Sequence, residues 1–139
     1  MIRLVVDAAQ PEPGVIAQAA ALLCNGGVAA IPTDTLYGLA VDPFNASAVA
    51  RVFGIKARQG ARALPLIAAS IAQVQVWIGP LSPLGARLAA RFWPGPLTLL
   101  MPPPPTLASA VTGGEVTVGV RVPAHGVARA LCDACGRPL

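Results

Sequence analysis

Charged residues are scarce in this chain. Asp, Glu, Lys and Arg together make up 12% of the 139 residues, whereas apolar residues make up 55%. Disordered chains combine high charge with few apolar side chains, so this composition argues against disorder and indicates a densely buried α/β core. The length suits one such core and is too short for two, so we expect a single domain over residues 1–139.

Long apolar runs are absent as well. Two stretches, 13–33 and 63–86, carry no charge, but Asn25, Gly26 and Gly27 interrupt the first and three prolines interrupt the second. A membrane-spanning helix needs about 20 consecutive and mostly apolar residues, so neither stretch predicts one. The first residues lack an apolar run closed by a small-residue cleavage site, so no signal peptide is indicated. We therefore expect a cytoplasmic location and no membrane partner.

Histidine is limited to His125, and cysteine occurs at three positions. Cys132 and Cys135 form a CxxC pair without a second pair, whereas a zinc site needs four ligands at set spacings. We favour cysteines buried in a helix over a metal or redox site, so no metal ligand is expected from the protein. His125 follows Pro123 at a predicted helix start and is interpreted as a capping or surface residue. Neither GxxxxGK[ST] nor GxGxxG is present, so neither phosphate-binding loop supports nucleotide binding.

What is present is a series of apolar segments separated by capping and turn residues. The predicted helices cover about 13–25, 45–56, 70–78, 82–93 and 124–135, and the predicted strands cover 2–6, 28–31, 64–69, 97–101 and 116–122. A further strand is predicted to begin at 136–139. Within 116–122 the four valines share one apolar face, and Thr117, Gly119 and Arg121 share the other. Gly119 has no side chain, so it leaves room between its polar neighbours for a ligand.

The basic residues are nine arginines and one lysine, spread without a polybasic tract, and the net charge is +4. This pattern is weak evidence for nucleic acid and suits small anions equally well. Lys56, Arg58 and Arg62 fall within seven residues with no acid nearby in the sequence, so a polyphosphate would relieve their mutual repulsion. The alternative is a solvated face with favourable charge at a helix end, and composition does not decide between the two.

Two other polar features belong to predicted strands or follow them. Arg121 lies in mid-strand, where it needs either a carboxylate ligand or a solvated strand edge, and both interpretations stay open. The turn at 33–38, Thr-Asp-Thr-Leu-Tyr-Gly, comes directly after a strand, where open α/β sheets tend to bind ligands. Turn formation alone also selects Thr, Asp and Gly, and for the segment in isolation that explanation is the stronger one.

Four motifs follow one another along the chain. They are Ile-Pro-Thr-Asp-Thr-Leu-Tyr-Gly-Leu-Ala at 31–40, Lys-Ala-Arg at 56–58, Trp-Pro-Gly-Pro-Leu-Thr at 93–98 and Val-Arg-Val-Pro-Ala-His at 120–125. In this order they resemble the YrdC-like family, and the resemblance runs from about Val15 to Leu139. It implies an α/β fold with an open, twisted, mixed sheet, flanking helices and a concave basic cavity.

The resemblance also implies an activity. In this family the amine of L-threonine captures bicarbonate as a carbamate, whose oxygen attacks the α-phosphate of ATP and expels pyrophosphate, with Mg²⁺ accompanying ATP. The chain would then be a nucleotidyltransferase, an L-threonylcarbamoyladenylate synthase, whose product serves tRNA threonylcarbamoyladenosine modification. Its implied partners are ATP, L-threonine, bicarbonate, a downstream threonylcarbamoyl transferase complex, and tRNA or double-stranded RNA.

Residue roles follow from the same resemblance. They are Lys56 and Arg58 for catalysis and the phosphates, Arg62 and Thr117 for the nucleotide, Thr35 and Arg121 for L-threonine, and Tyr37 and Gly119 for the pocket lining. The family commonly has proline where Gln59 lies, and some members have histidine where Ile67 lies. Members also continue beyond a sequence like 136–139 into a Ser/Thr-Ser-Ala-Asn-x-Ser-Gly segment, which is not in this sequence. We therefore expect a shortened domain with reduced stability and impaired ATP binding.

Two other functions are compatible with such a fold. One is a non-catalytic RNA-binding module, whose affinity would fall steeply with salt and would need neither threonine nor bicarbonate. The other is a carbamoyl-transfer domain of the hydrogenase-maturation type. The motifs favour the synthase, because Thr35 and Arg121 have no evident purpose in RNA binding.

Overall fold

The computed structural model describes residues 1–57 and 62–139, and helices and strands alternate along this part of the chain. In chain order the elements are α1 (Pro13–Cys24), β1 (Ala29–Ile31), β2 (Gly38–Ala40), α2 (Ala46–Ile55), β3 (Leu66–Ile67), α3 (Ile71–Trp77), α4 (Pro83–Phe92), β4 (Leu99–Met101), α5 (Ser109–Thr112), β5 (Val118–Arg121) and α6 (Gly126–Cys135). This mixed α/β composition confirms the predicted fold class.

Side-chain caps fix the start of several helices. The Asn45 side chain accepts a hydrogen bond from the amide of Ala48 (3.1 Å) at the start of α2. Ser70 and Ser82 do the same at the start of α3 (3.1 Å) and α4 (3.0 Å). Each cap satisfies an amide that has no partner within its helix. Because these signals are local, the sequence predicts the helix starts well.

The strands form two small sheets. β1 and β2 make an antiparallel hairpin in which Ile31 is paired with Gly38. In the other sheet β5 is central, parallel to β3 and antiparallel to β4. Leu139 exchanges two backbone hydrogen bonds with Ile67 (2.8 and 2.9 Å) on β3, as expected for the first residues of a further strand.

Two clusters of buried apolar residues hold the helices and the two sheets together. Cluster one packs α2, α3 and α5 against one face of the three-stranded sheet, with Val52, Val74 and Val120 among its buried residues. Cluster two packs α1 against α6 and the β1–β2 hairpin, through residues such as Leu23 and Leu131. Burial of this apolar surface is the main favourable term in folding.

Some expectations differ from the structure. Residues 2–6 do not form the predicted strand, and Ile2 and Val5 are exposed. Val116 is also exposed, so the apolar face of the valine-rich strand begins at Val118 and does not include the first valine. Strand β2 and the short helix α5 were not predicted from the sequence. Within 1–57 and 62–139, none of the helices combines the length and apolar character that a membrane crossing requires.

Candidate functional site

Strand β5 presents different residues to its two sides. Val118 and Val120 are buried in cluster one, whereas Gly119 and Arg121 alternate with them and are half-buried. On the neighbouring strand, Ile67 is paired with Arg121 and packs against cluster two. Cluster two therefore covers the β3 part of this second face and leaves the Gly119 and Arg121 part partly open, as the alternation predicts.

The space over Gly119 is narrower than the sequence suggests. A Cβ at this position would lie 3.1 Å from the Cγ2 of Thr98 and 3.8 Å from the Cδ2 of Leu100. The methyl group of Thr98, in the connection leading to β4, thus bounds the room that the missing side chain leaves. A larger residue at 119 would force this neighbour to move.

The turn at 33–38 lies beside the end of β5. The Asp34 Oδ2 accepts a hydrogen bond from the amide of Ala124 (3.3 Å), which is 90 positions further along the chain. Within the turn, the Thr33 Oγ accepts from the amides of Thr35 (3.4 Å) and Leu36 (3.3 Å). Thr35 is exposed and lies next to the residue that makes this long-range bond. The structure therefore brings the turn and the segment after Arg121 together.

Tyr37, predicted to line the pocket, is 76% exposed in this structure. It follows Leu36, which is also exposed, and directly precedes β2. The aromatic ring is thus presented to solvent from the same turn as Thr35.

The predicted nucleotide residues lie toward the other end of β5. Arg62 precedes β3 and Thr117 directly precedes β5, and these two strands run parallel with Leu66 paired to Val120. Both residues are therefore at the amino ends of neighbouring strands, whereas Arg121 is at the carboxyl end. Thr117 and Arg121 are four positions apart along extended chain, or about 13 Å.

Lys56 is exposed at the C-terminal cap of α2, and Arg62 is exposed as well. Arg58, the third member of the predicted cationic cluster, lies outside the described residues. A cation at the end of a helix is favoured by the partial negative charge of the last carbonyls. Helix α2 and the approach to β3 thus present Lys56 and Arg62 to solvent.

Across 1–57 and 62–139 the structure has one salt bridge, between Arg137 Nη1 and Asp42 Oδ2 (2.9 Å). Asp42 is the one charged residue buried in that part, and the Arg137 guanidinium also lies 5.1 Å from the centre of the Trp77 ring. Arg121 makes no ion pair with a described acid. Its charge is therefore available to an anionic ligand.

Cys132, Cys135 and His125 have structural roles. Cys132 and Cys135 are buried in α6, where their thiols donate to the carbonyls of Ile67 (3.4 Å) and Ala20 (3.8 Å). His125 caps α6, because its Nδ1 accepts from the amide of Val127 (3.2 Å). The predicted burial is confirmed for these two cysteines and wrong for Cys24, which is exposed, and the predicted capping role of His125 is confirmed. The described residues contain no group of three or more His, Cys, Asp or Glu side chains placed to hold a metal ion.

A cleft of about 460 Å³ lies between α4 and β4. It is mostly apolar, with Leu84, Leu88 and Leu100 in its lining, and none of the residues predicted for the site contributes to it. Leu100 borders both this cleft and the space over Gly119. The cleft is thus a neighbour of the polar face of β5 and separate from the predicted ligand contacts.

Residues 21–139 match the model of the Sua5_yciO_yrdC family, which is described as telomere recombination. Relatives named threonylcarbamoyl-AMP synthase are 46% identical over 121 residues in Alkalilimnicola ehrlichii and 43% identical over 119 residues in Thiobacillus denitrificans. These matches cover 87% and 86% of this chain, which spans 63% of the length of both relatives. Among solved structures, P. abyssi Sua5 complexed with L-threonine matches with a TM-score of 0.87 at 38% identity, covering 93% of this chain and 38% of that protein.

Proposed function

Because the chain belongs to the Sua5, YciO and YrdC family, we propose that it takes part in forming threonylcarbamoyl-AMP and pyrophosphate from L-threonine, bicarbonate and ATP. Relatives named for this synthase activity support a transferase, and we extend this to adenylyl transfer. The P. abyssi structure in complex with L-threonine supports the choice of amino acid. We further propose that the product serves tRNA modification in the cytoplasm through a downstream threonylcarbamoyl transferase complex.

One observation carries the proposal. Arg121 faces the partly open side of β5 without a described acidic partner, beside the turn that carries Thr35. A guanidinium that lacks a carboxylate partner is suited to binding the carboxylate of an amino acid in a bidentate manner. We propose that Arg121 binds the carboxylate of L-threonine and that Thr35 also contacts this substrate.

The nucleotide would lie toward the amino ends of β3 and β5. Thr117 and Arg62 lie there, and Lys56 and Arg58 precede β3 in the chain. The carbamate forms when the threonine amine attacks bicarbonate with loss of water. Its oxygen then forms a bond to the α-phosphorus of ATP, and the bond from this phosphorus to the bridging oxygen of pyrophosphate breaks. The cations would stabilise the charge that builds up on the phosphoryl oxygens.

Magnesium is proposed to accompany ATP as the counterion of its phosphates. The described part of the chain offers no cluster of carboxylates for this ion. We propose that the cations of the protein bind the phosphates and orient the α-phosphorus toward the carbamate.

Pyrophosphate release tests the proposal. The chain is incubated with ATP, L-threonine, bicarbonate and Mg²⁺, with omission of each substrate in turn, and compared with the Arg58→Ala and Arg121→Ala variants. We expect release only with all substrates present, and a loss of at least about 10-fold in each variant, because each removes a charge-assisted contact. Arg87→Ala is the matched control, since Arg87 is exposed on α4 and should leave release unchanged.

Other results would contradict the synthase. Pyrophosphate release that does not depend on threonine would exclude it. Binding of RNA that falls steeply with salt, without any pyrophosphate release, would favour the RNA-binding module. Activity with a different carbamoyl compound in place of threonine and bicarbonate would favour a carbamoyl-transfer domain.

A further inference from the structure

The turn at 33–38 is attached to the rest of the molecule in two ways. At its base, Ile31 of β1 and Ala40 of β2 are buried in cluster two against α6. Near its tip, Asp34 accepts the hydrogen bond from the amide of Ala124. The bonds of Thr33 lie within the turn, so they close it without fixing its position. Among the described residues, Asp34 is therefore the side chain that connects the tip to the β5–α6 corner.

Backbone hydrogen bonds from neighbouring segments hold the β5–α6 corner in place. The carbonyl of Arg121 accepts from the amide of Ala68 (2.9 Å), and the carbonyl of Val122 accepts from the amide of Gly95 (2.9 Å). Pro123 is buried, and the His125 cap follows two residues later. Arg121 thus lies on backbone that hydrogen bonds fix from two neighbouring segments, and Ala124 extends that backbone toward the turn.

We propose that Asp34 is a positioning residue that sets the distance between Thr35 and Arg121 for the amino-acid substrate. This inference rests on the proposed function, because it concerns the two residues assigned to L-threonine. Thr35 follows Asp34 directly, and Arg121 precedes the bonded amide by three residues. Loss of the bond leaves both groups present and changes their spacing. A misplaced binding group lowers apparent affinity even though no contact residue has been removed.

The hydrogen bond requires an acceptor oxygen and does not require a charge. An asparagine at position 34 keeps a carbonyl oxygen at the same distance from the backbone, whereas an alanine removes it. The Asp34→Asn variant should therefore behave like the unmodified chain if the residue acts by positioning. If the negative charge itself acts on the substrate, this variant should be as impaired as Asp34→Ala.

The experiment compares Asp34→Ala, Asp34→Asn and Asp133→Ala in the 139-residue chain. Asp133 is exposed on α6 and serves as a control for removal of a surface carboxylate. Hydrogen exchange of the Ala124 amide reports the bond directly and independently of activity. Pyrophosphate release at varied L-threonine and varied ATP reports the consequence, and thermal melting checks that each variant is folded.

We expect Asp34→Ala to speed Ala124 exchange and to raise the KM for L-threonine by roughly 3- to 10-fold, as for the loss of one hydrogen bond. The KM for ATP should stay within about 2-fold, and Asp34→Asn and Asp133→Ala should match the unmodified chain. The positioning role would be overturned if Asp34→Ala left Ala124 exchange unchanged or raised the KM for L-threonine and for ATP equally. It would also be overturned if Asp34→Asn were as impaired as Asp34→Ala. An unmodified chain without threonine-dependent release would instead overturn the proposed function on which the role rests.

Discussion

The environment of Cys135 depends on residues that are distant from it in the sequence. Its thiol is buried in α6, donates a hydrogen bond to the carbonyl of Ala20 and lies near Cys24 of α1. Burial, followed by the neighbouring Cys24, raises the pKa of the Cys135 thiol above its ordinary value. Burial likewise raises the pKa of Cys132 to about 12. A thiol must lose its proton to act as a nucleophile, so both should be inert in the folded protein at neutral pH.

Alkylation with iodoacetamide at pH 8 tests these environments. We expect one adduct per folded chain, at the exposed Cys24, and three adducts after unfolding in guanidinium. Mass spectrometry counts the adducts, and a Cys24→Ser variant should give none while folded. Two or more adducts on the folded chain would contradict the assigned burial.

The same pKa shift predicts a dependence of stability on pH. The folded chain keeps the Cys132 proton up to about pH 12, whereas the unfolded chain releases it near the ordinary pKa of 9.0. Since the folded state then binds more protons, the free energy of unfolding should decline as the pH rises from about 9 toward 12. Urea unfolding across this range measures the decline, and a Cys132→Ala variant should show less of it.

At the residue scale, the sequence predicts roles that depend on neighbours in the chain. His125 is a cap because a helix starts directly after it. By contrast, the pairing of Asp42 with Arg137 and that of Asp34 with Ala124 join positions 95 and 90 residues apart. No local pattern encodes such pairs. The motifs predict which residues belong to the candidate site. The fold is needed to show which of these residues are in contact.

Gly95 illustrates what the connection between α4 and β4 requires. A Cβ at this position would lie 2.3 Å from the carbonyl oxygen of Phe92, which is closer than real Cβ atoms approach. The amide of Gly95 also donates to the carbonyl of Val122 at the end of β5. The connection therefore passes close to the end of α4 while it supports the strand that carries Arg121.

A pair of glycine substitutions tests this requirement. We expect Gly95→Ala to lower the free energy of unfolding by about 1–3 kcal/mol, because the added methyl group forces the backbone to shift. Gly54 lies in α2 with no atom within 4 Å of an added Cβ, so Gly54→Ala should instead stabilise by about 0.5–1 kcal/mol. Urea denaturation of both variants gives the comparison. Equal effects of the two substitutions would contradict the close approach at Gly95.

Among the elements, the helices with a side-chain cap or a proline in the first turn and the strands β1, β3, β4 and β5 were predicted within about two residues at each end, whereas β2 was missed. Helix α4 begins at Ser82 and Pro83 because both residues act within one turn. Strand β2 is three residues long and depends on its pairing with β1, so its three residues carry little signal of their own. The apolar segment at 2–6 has the composition of a strand, but it pairs with no strand of the described sheets. Strand formation requires a partner, and composition does not supply one.

At the scale of the whole molecule, the direction of the last residues is informative. Leu139 and Ile67 exchange two hydrogen bonds, which is the pattern of an antiparallel pair. Residues added after Leu139 would therefore run along β3 toward its amino end and toward Arg62. That is the end at which the nucleotide is proposed to bind.

A lengthened chain tests this geometry. We expect a version extended by the family segment Ser/Thr-Ser-Ala-Asn-x-Ser-Gly to bind ATP roughly 10-fold or more tightly than the 139-residue chain, since its hydroxyl and amide groups would add hydrogen bonds to the nucleotide. Calorimetric titration with ATP measures the difference. An extension of equal length with alanine at the serine and asparagine positions is the control. Equal affinity of the three chains would contradict the proposal.

The packing of α1 against α6 has a consequence for synthesis of the protein. Ile16 and Leu23 of α1 are buried with Leu131 of α6, and about 100 residues lie between Cys24 and Gly126. On the ribosome, at about 5–20 residues per second, the part of the first helix that α6 covers stays exposed for roughly 5 to 20 s until the last helix is made. Slow codons between the two helices should prolong this interval and increase the need of the nascent chain for a chaperone.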